Sequence, residues 1–337
     1  MDEVRGPTGS ATGPDPRAGA GRRMTATTVV QNRPMAATPS TRRAAGVGGP
    51  SGAQLLGDDD LVAALQVCAR DAVGSVLATS RLEPALRTGL ATAGGSLWGY
   101  REDGELVGAC WAGANMVPVV PVADPRVVDR ALDAFAMLAH GLGRRCSSIV
   151  GPATEVLGLW QRLRPVWPAA REVRDDQPSM VIDHDPLLAP DPQVRHGRPD
   201  EIGAVLPACV RMFTEEVGYS PVSGPGGPYE MRVRSLLAQG RSFVRMETDA
   251  GGAPRVAFKA ELGAVAGGVA QVQGVWVDPL RRGNRLSEHG MAAVVLAARR
   301  EVAPVVSLYV NAYNTRAVAA YQAVGFRQVG TYATVLF

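Results

Sequence analysis

The chain has few of the residues that mark metal, redox or membrane proteins. Its 337 residues contain four cysteines, which form no Cys-x-x-Cys pair, so we expect buried, reduced thiols in a cytosolic protein. The four histidines show no metal-ligand spacing with them, which predicts that no metal is bound. No apolar run approaches the ~18 residues of a membrane span, and the N-terminus has no apolar secretory core. We therefore predict a cytoplasmic protein without a membrane partner.

Lysine is almost absent. Lys259 is the only one, and all other basic residues are arginines. With the abundant alanine, glycine and valine, this bias is typical of a GC-rich genome such as that of an actinobacterium. The net charge of +3 is small, and seven arginines against three acidic residues lie in residues 1–54. The rest of the chain is close to neutral, so no nucleic-acid partner is expected.

Residues 1–54 have no apolar periodicity and are rich in Gly, Pro, Ser, Thr, Ala and Arg. Such a segment cannot bury enough apolar surface to offset the entropy of ordering it, so it is predicted to be disordered. The alternative is a basic arm that contacts nucleic acid or membrane.

Two stretches of the remaining chain show the same order of predicted elements. In the first, a hairpin turn at Glu102–Glu105 is followed by an apolar strand to Val120, a helix over Arg126–Gly141 and further strands and helices. The second repeats this order beyond a proline-rich linker at 187–193. A predicted helix over Glu201–Glu216 begins it, and Pro207 predicts a kink or break there. We expect an internal duplication with domains at 55–186 and 194–337; the alternative for the first is an unrelated α/β domain.

The most informative segment is Gln271–Phe326. An apolar strand ending at Val277 and Asp278-Pro279 is followed by an arginine-glycine turn, Arg281 to Ser287, and a helix. The N-terminus of a helix carries unpaired N–H groups and partial positive charge. These groups can hold a diphosphate if glycine lets the backbone approach it. A strand–turn–helix with one glycine is weak evidence alone, but a second motif follows at a suitable distance. It consists of Asn314, Ala317, Tyr321, Gly325 and Phe326.

These motifs resemble the GNAT (general-control-related N-acetyltransferase) superfamily over roughly the last 145 residues, in line with one domain. Its coenzyme loop usually reads R-G-x-G-x-G/A, which Arg282 and Gly283 match. Arg285 stands where the second glycine is usual, and Ser287 where glycine or alanine is usual. A side chain at 285 disfavours a positive φ angle. The arrangement also resembles two-domain actinobacterial acetyltransferases with a degenerate first half, since no arginine-glycine turn precedes the helix at Arg126.

The resemblance implies an α/β fold of two tandem GNAT-like domains, each with a mixed, mainly antiparallel sheet flanked by helices. It implies acetyl-CoA as co-substrate, held where the sheet splays at the end of the strand and at the loop. The implied coenzyme-binding residues are Val275, Trp276, Val277, Arg282, Gly283, Asn284, Arg285, Leu286, Ser287 and Asn314. For the strand, the alternative is ordinary pairing on both edges, and for Asn314 it is a helix cap, although both roles can hold together.

The resemblance makes Tyr321 the general acid that protonates the leaving thiolate. The alternative is a core tyrosine packed against Val318 and Phe326. The base is less clear. Several GNAT enzymes carry a glutamate where this strand has Gln271, and an amide cannot accept a proton at neutral pH. Three glutamates remain as candidates, although a glutamate at such a position is more often a solvated surface charge. They are Glu215, Glu216 and Glu261.

The sequence thus predicts an acyl-CoA-dependent N-acyltransferase in which an amine attacks the thioester directly within a ternary complex. The acceptor is a small-molecule amine or a protein or peptide amine, and neither it nor the oligomeric state can be read from the sequence. Cys209, placed in mid-helix, is expected to lie far from the motifs. The competing hypothesis is a non-catalytic acyl-CoA-binding regulatory module, motivated by Arg285 and the missing strand glutamate.

Overall fold

The computed structural model describes residues 52–222, 226–249 and 251–337. The predicted disorder of residues 1–51 therefore falls outside the described part, as do residues 223–225 of the loop after α5. Gly52 to Gln54, placed in the tail by the sequence, belong to a strand, so ordered structure begins slightly earlier than predicted.

The first half contains six strands and four helices within residues 52–182. They are β1 Gly52–Leu56, α1 Leu61–Ala69, α2 Ala72–Thr88, β2 Ser96–Glu102, β3 Glu105–Ala112, β4 Asn115–Val119, α3 Pro125–Leu142, β5 Ser148–Pro152, α4 Ala153–Leu163 and β6 Glu172–Ile182. The hairpin at Glu102–Glu105 is confirmed. The strand predicted to run to Val120 is two strands, because the chain turns back at Gly113-Ala114.

The second half repeats this order element for element. It comprises β7 Arg195–His196, α5 Ile202–Val217, α6 Pro228–Ala238, β8 Ser242–Thr248, β9 Pro254–Ala266, β10 Val269–Val277, α7 Leu286–Glu301, β11 Val305–Tyr309, α8 Thr315–Val324 and β12 Arg327–Leu336. The predicted break at Pro207 is wrong, because α5 runs through that residue. A proline removes one intrahelical hydrogen bond, and here Val205, Ala208 and Cys209 still bury the inner face of the helix.

The described strands form one sheet in the order β1-β2-β3-β4-β5-β12-β6-β11-β10-β9-β8-β7. Pairing is antiparallel throughout except between β4 and β5 and between β10 and β11. The predicted mixed, mainly antiparallel α/β fold is confirmed, with helices packed on the sheet in both halves.

The two halves exchange their last strands. β6, which ends the first half, lies between β11 and β12 of the second half, and β12 pairs with β5 of the first. Both exchanged strands contribute fully buried residues, among them Ile182 and Val335. The two halves therefore share one continuous sheet, and the predicted boundary at 187–193 separates two sequence repeats within it.

Candidate functional site

The sheet opens between β10 and β11. Their parallel pairing covers only Val269 to Gln271, opposite Val305 to Ser307. Beyond Gln271, β10 continues to Val277 while β11 pairs on its other edge with β6. Ordinary pairing on both edges of β10 is thus excluded over residues 272–277. Backbone groups that face such an opening are free to bind a ligand.

On its other edge, the same stretch of β10 contains a bulge. Gln273 lies opposite Glu261 and Trp276 lies opposite Lys259 on β9. Two residues of β10, Gly274 and Val275, therefore stand against one residue of β9. Gly274 has φ +57°, a conformation that glycine adopts without strain. A bulge of this kind turns backbone groups away from the ladder and re-aims them.

The loop after β10 ends in the N-terminus of α7. The Asp278 carboxylate accepts hydrogen bonds from the N–H of Leu280 at 2.9 Å, which fixes the start of the turn. Gly283 has φ +84°. The backbone N–H groups of residues 283–288 donate to no other group in the described part of the chain. Consecutive unpaired donors at a helix N-terminus form a site suited to an anion.

Arg285 adopts the positive φ that the sequence argument disfavours, at +57°. Its side chain is 60% exposed and forms an ion pair with Glu288 one turn into α7. The side chain is therefore engaged at the protein surface, while its backbone takes the conformation usual for the glycine it replaces. Arg282 instead donates to Glu215 at 2.6 Å and to the Val277 carbonyl at 3.2 Å, which ties the loop to the end of α5.

A surface cavity of about 490 Å³ adjoins the start of this loop. Both signs of charge line it, so it is not a uniformly positive anion site. Its lining residues are Arg211, Asp249, Arg255, Asp278, Pro279 and Leu280.

Asn314 caps α8, since its side-chain oxygen accepts a hydrogen bond from the N–H of Ala317 at 3.2 Å. The cap proposed from the sequence is therefore present. A coenzyme contact by Asn314 stays a prediction.

Tyr321 lies on α8, is 7% exposed and packs edge-on against Phe326 with 6.0 Å between ring centres. Burial, and secondarily the charge of Glu216, raise the pKa of its phenol well above the usual value. The hydroxyl makes no hydrogen bond to another described residue. Tyr321 therefore stays protonated at neutral pH, which a general acid requires, and it also contributes to the core as the alternative predicted.

Each of the three candidate glutamates is ion-paired. Glu215 pairs with Arg282, and Glu216 with Arg174 at 2.9 Å. Glu261 lies inside the protein, 2.7 Å from the Lys259 ammonium. Burial raises its pKa, but Lys259 more than offsets this and leaves the pKa below its usual range. The structure thus places Glu261 beside the bulge as an ionised partner of Lys259.

Sequence reasoning missed two side chains at this place. Lys259 is fully buried and contacts the bulge. Cys209, expected to be remote, donates to the Glu261 carboxylate at 3.3 Å, because α5 packs directly over β9 and β10. Burial raises the pKa of its thiol to about 12, so it is no nucleophile at neutral pH. The sequence feature that could have pointed to this cluster is that Lys259 is the only lysine in an arginine-rich chain.

Comparisons with known proteins agree with this geometry. Residues 234–326 match the model of the acetyltransferase (GNAT) family, and residues 95–205 match that of a domain of unknown function, DUF4081. A GCN5-related N-acetyltransferase from Sphaerobacter thermophilus superimposes with a TM-score of 0.53 at 18% identity, over 85% of this chain and 95% of that one. The crystal structure of a Drosophila protein superimposes with a TM-score of 0.57 at 12% identity, over 85% of this chain and 99% of that one.

A comparison with curated protein sequences found no match. The match over residues 234–326 and the fold shared with these structures indicate that the second half of the chain is similar to acetyltransferases of the GNAT family. Within the described residues, no helix is long and apolar enough to cross a membrane.

Proposed function

We propose that the chain is an N-acyltransferase that transfers an acyl group, acetyl first, from coenzyme A to an amine. The observation that carries this proposal is the run of unpaired N–H groups at residues 283–288, placed at the mouth of the opening between β10 and β11. The diphosphate would bind these donors, and the pantetheine arm would enter the opening beside Val275 to Val277.

In this arrangement the thioester carbonyl accepts hydrogen bonds from backbone donors of β10 at the bulge, which polarise it for direct attack by the amine. As the tetrahedral intermediate collapses, the C–S bond breaks and Tyr321 gives its proton to the departing sulfur. Among the glutamates, Glu216 best fits the base, directly or through a water, because its charge acts on the Tyr321 phenol. All three glutamates are ion-paired, Glu216 with Arg174. We assign Glu215, which ties the loop to α5, and Glu261, which pairs with Lys259, to positioning.

The acceptor is proposed to enter at the C-terminal end of α5, where Glu216 lies. A small-molecule, peptide or protein amine satisfies this chemistry equally, and no nucleic-acid or membrane partner is proposed. The protein is proposed to act in the cytoplasm.

The test combines binding with turnover. Acetyl-CoA should raise the melting temperature of the full-length protein, by an amount that grows with the logarithm of its concentration above the dissociation constant. A panel of amines should release free coenzyme A thiol in its presence. No stabilisation at millimolar acetyl-CoA would contradict the proposal.

A second candidate is a non-catalytic acyl-CoA-binding module. It is favoured by the ion pairing of every candidate base and by Gln271 at the strand position where a glutamate is usual. Stabilisation by acetyl-CoA without acetyl transfer to any amine of the panel would select this candidate over the enzyme.

A further inference from the structure

The only lysine of the chain is buried at the bulge of β10. Lys259 is 0% exposed, and its ammonium lies 2.7 Å from Glu261. It also donates to the Gly274 carbonyl at 2.9 Å and approaches the Met212 sulfur at 3.4 Å. Removing a charge from water destabilises a protein unless the charge is paired and hydrogen-bonded. Both conditions are met here, so the ammonium can remain charged inside the protein.

The Lys259–Glu261 ion pair adds little to the stability of the fold, since apolar residues of similar volume usually stabilise a core at least as much as a buried ion pair. Its contacts indicate another role. Lys259 and Glu261 flank the single β9 residue that faces both Gly274 and Val275. The bulge leaves the Gly274 carbonyl outside the ladder, and Lys259 provides its hydrogen-bond donor.

Space around Gly274 is correspondingly tight. A Cβ atom at this position would stand 3.2 Å from the Lys259 ammonium and 3.3 Å from the free carboxylate oxygen of Glu261. The positive φ of Gly274 would strain any other residue as well. The bulge, the glycine and the ion pair therefore fit one another as a unit.

We propose that Lys259, kept charged by Glu261, is a positioning residue that holds the Gly274 carbonyl and thereby aims the backbone donors of the bulge at the thioester. This inference rests on the proposed acyl transfer, because the backbone donors of the bulge can bind a thioester carbonyl only if the acyl group lies in the opening. Lys259 itself does not touch the substrate.

The test replaces the ion pair by apolar side chains of similar length in the full-length protein. Lys259→Met with Glu261→Met leaves no unpaired buried charge, so the double variant is expected to fold. Its kcat should fall about 100-fold, as for loss of one preorganised donor in a hydrolase oxyanion hole, while the KM for acetyl-CoA changes less than threefold. Cys209→Ala is the matched control, since Cys209 touches Glu261 but not Gly274; its kcat should stay at the wild-type value. An unchanged kcat in the double variant would overturn the proposal.

A second readout does not depend on activity. Amide hydrogen exchange over residues 271–277 should quicken at least tenfold in the double variant and not in Cys209→Ala, because a carbonyl released from Lys259 lets the bulge fluctuate. Equal exchange in all three proteins would overturn the proposed positioning. If the wild type transfers no acetyl group while exchange responds as expected, the enzymatic function fails and the role of Lys259 in the bulge stands.

Discussion

The two halves of the molecule share one scaffold and differ at the same place in it. In both, a parallel strand pair separates after two or three residues, β4 from β5 after Met116 and β10 from β11 after Gln271. In the second half the following helix begins with N–H groups that donate to no other residue among those described. In the first half Asp124 caps α3 and accepts the N–H of Arg126 at 2.9 Å. The Asp124 carboxylate therefore caps α3 directly, whereas the Asp278 carboxylate of the second half caps only the turn that precedes α7.

The helix on the other side of the opening shows the same contrast. By position along the helix, Tyr321 of α8 corresponds to Leu159 of α4, and Ala317 corresponds to Glu155. Glu155 is buried in the first half, where the second half has an alanine. We propose on these grounds that the first half is a degenerate copy that binds no coenzyme, and that its exchanged strand is its main contribution to the second half.

The largest effect is expected from separating the halves. A fragment of residues 194–337 lacks β5 and β6, so β11 would have one unpaired edge and β12 would lose both of its neighbouring strands. Buried apolar residues of both strands would then face water. We expect the fragment to aggregate or remain unfolded by circular dichroism and size-exclusion chromatography, whereas residues 52–337 fold. A monomeric fragment that unfolds cooperatively and binds acetyl-CoA would show that the exchange is dispensable.

The second largest effect is expected at Tyr321, where the first half has Leu159. Tyr321→Phe should lower kcat about 100-fold or more, as for loss of a general acid, while the dissociation constant for acetyl-CoA changes less than threefold. Tyr313→Phe, at a residue 74% exposed, is the control and should retain full activity. A collapse of coenzyme binding in Tyr321→Phe would instead identify a packing role.

An aspartate at the N-terminus of α7, like Asp124 at the N-terminus of α3, should weaken coenzyme binding. Arg285→Asp places a carboxylate at the N-cap of α7, where it competes with the diphosphate for the N–H groups. We expect the dissociation constant for acetyl-CoA, measured by calorimetry, to rise about 50-fold. Arg285→Gly, which keeps the positive φ without a charge, should bind at least as tightly as the wild type. Wild-type affinity in Arg285→Asp would mean that the diphosphate lies elsewhere.

The smallest effect tests Glu155 in the first half. Burial raises the pKa of its carboxyl from 4.5 to about 7, so folding favours the neutral form. This contribution is complete below pH 4.5 and is lost as pH rises through 7. Glu155→Gln should therefore gain stability relative to the wild type over that interval, by about 2 kcal/mol after allowance for residual exposure. Urea denaturation at several pH values measures it, with the exposed Glu105→Gln as control. Parallel stability curves would contradict the buried, neutral carboxyl.

Short-range features of the site were predictable from sequence. The cap by Asn314 and the loop at Arg282-Gly283 follow from residue types at fixed spacing, and the splayed strand follows from the family resemblance. The strand exchange could not be predicted, because periodicity shows that β6 and β12 are buried strands but not which strands, more than 120 residues away, they join. The Lys259 cluster was missed for the same reason, since Cys209 and Gly274 meet it only through tertiary packing.

Arg285 shows a second reason why the sequence did not predict the whole site, which is that a local backbone preference can be overridden. The steric argument against a positive φ was correct as a local preference, yet one strained residue costs only ~1–3 kcal/mol. The surrounding loop and the ion pair with Glu288 hold it in that conformation. Local rules therefore indicated which residue was unusual, and only the structure showed that its backbone preserves the shape of the loop.

A crystal structure of the full-length protein with acetyl-CoA tests the central claim most directly. The account predicts one coenzyme per chain, with its diphosphate in hydrogen-bond distance of the N–H groups of residues 283–288 and its sulfur facing Tyr321. A coenzyme bound at α3, or none at the N-terminus of α7, would contradict it.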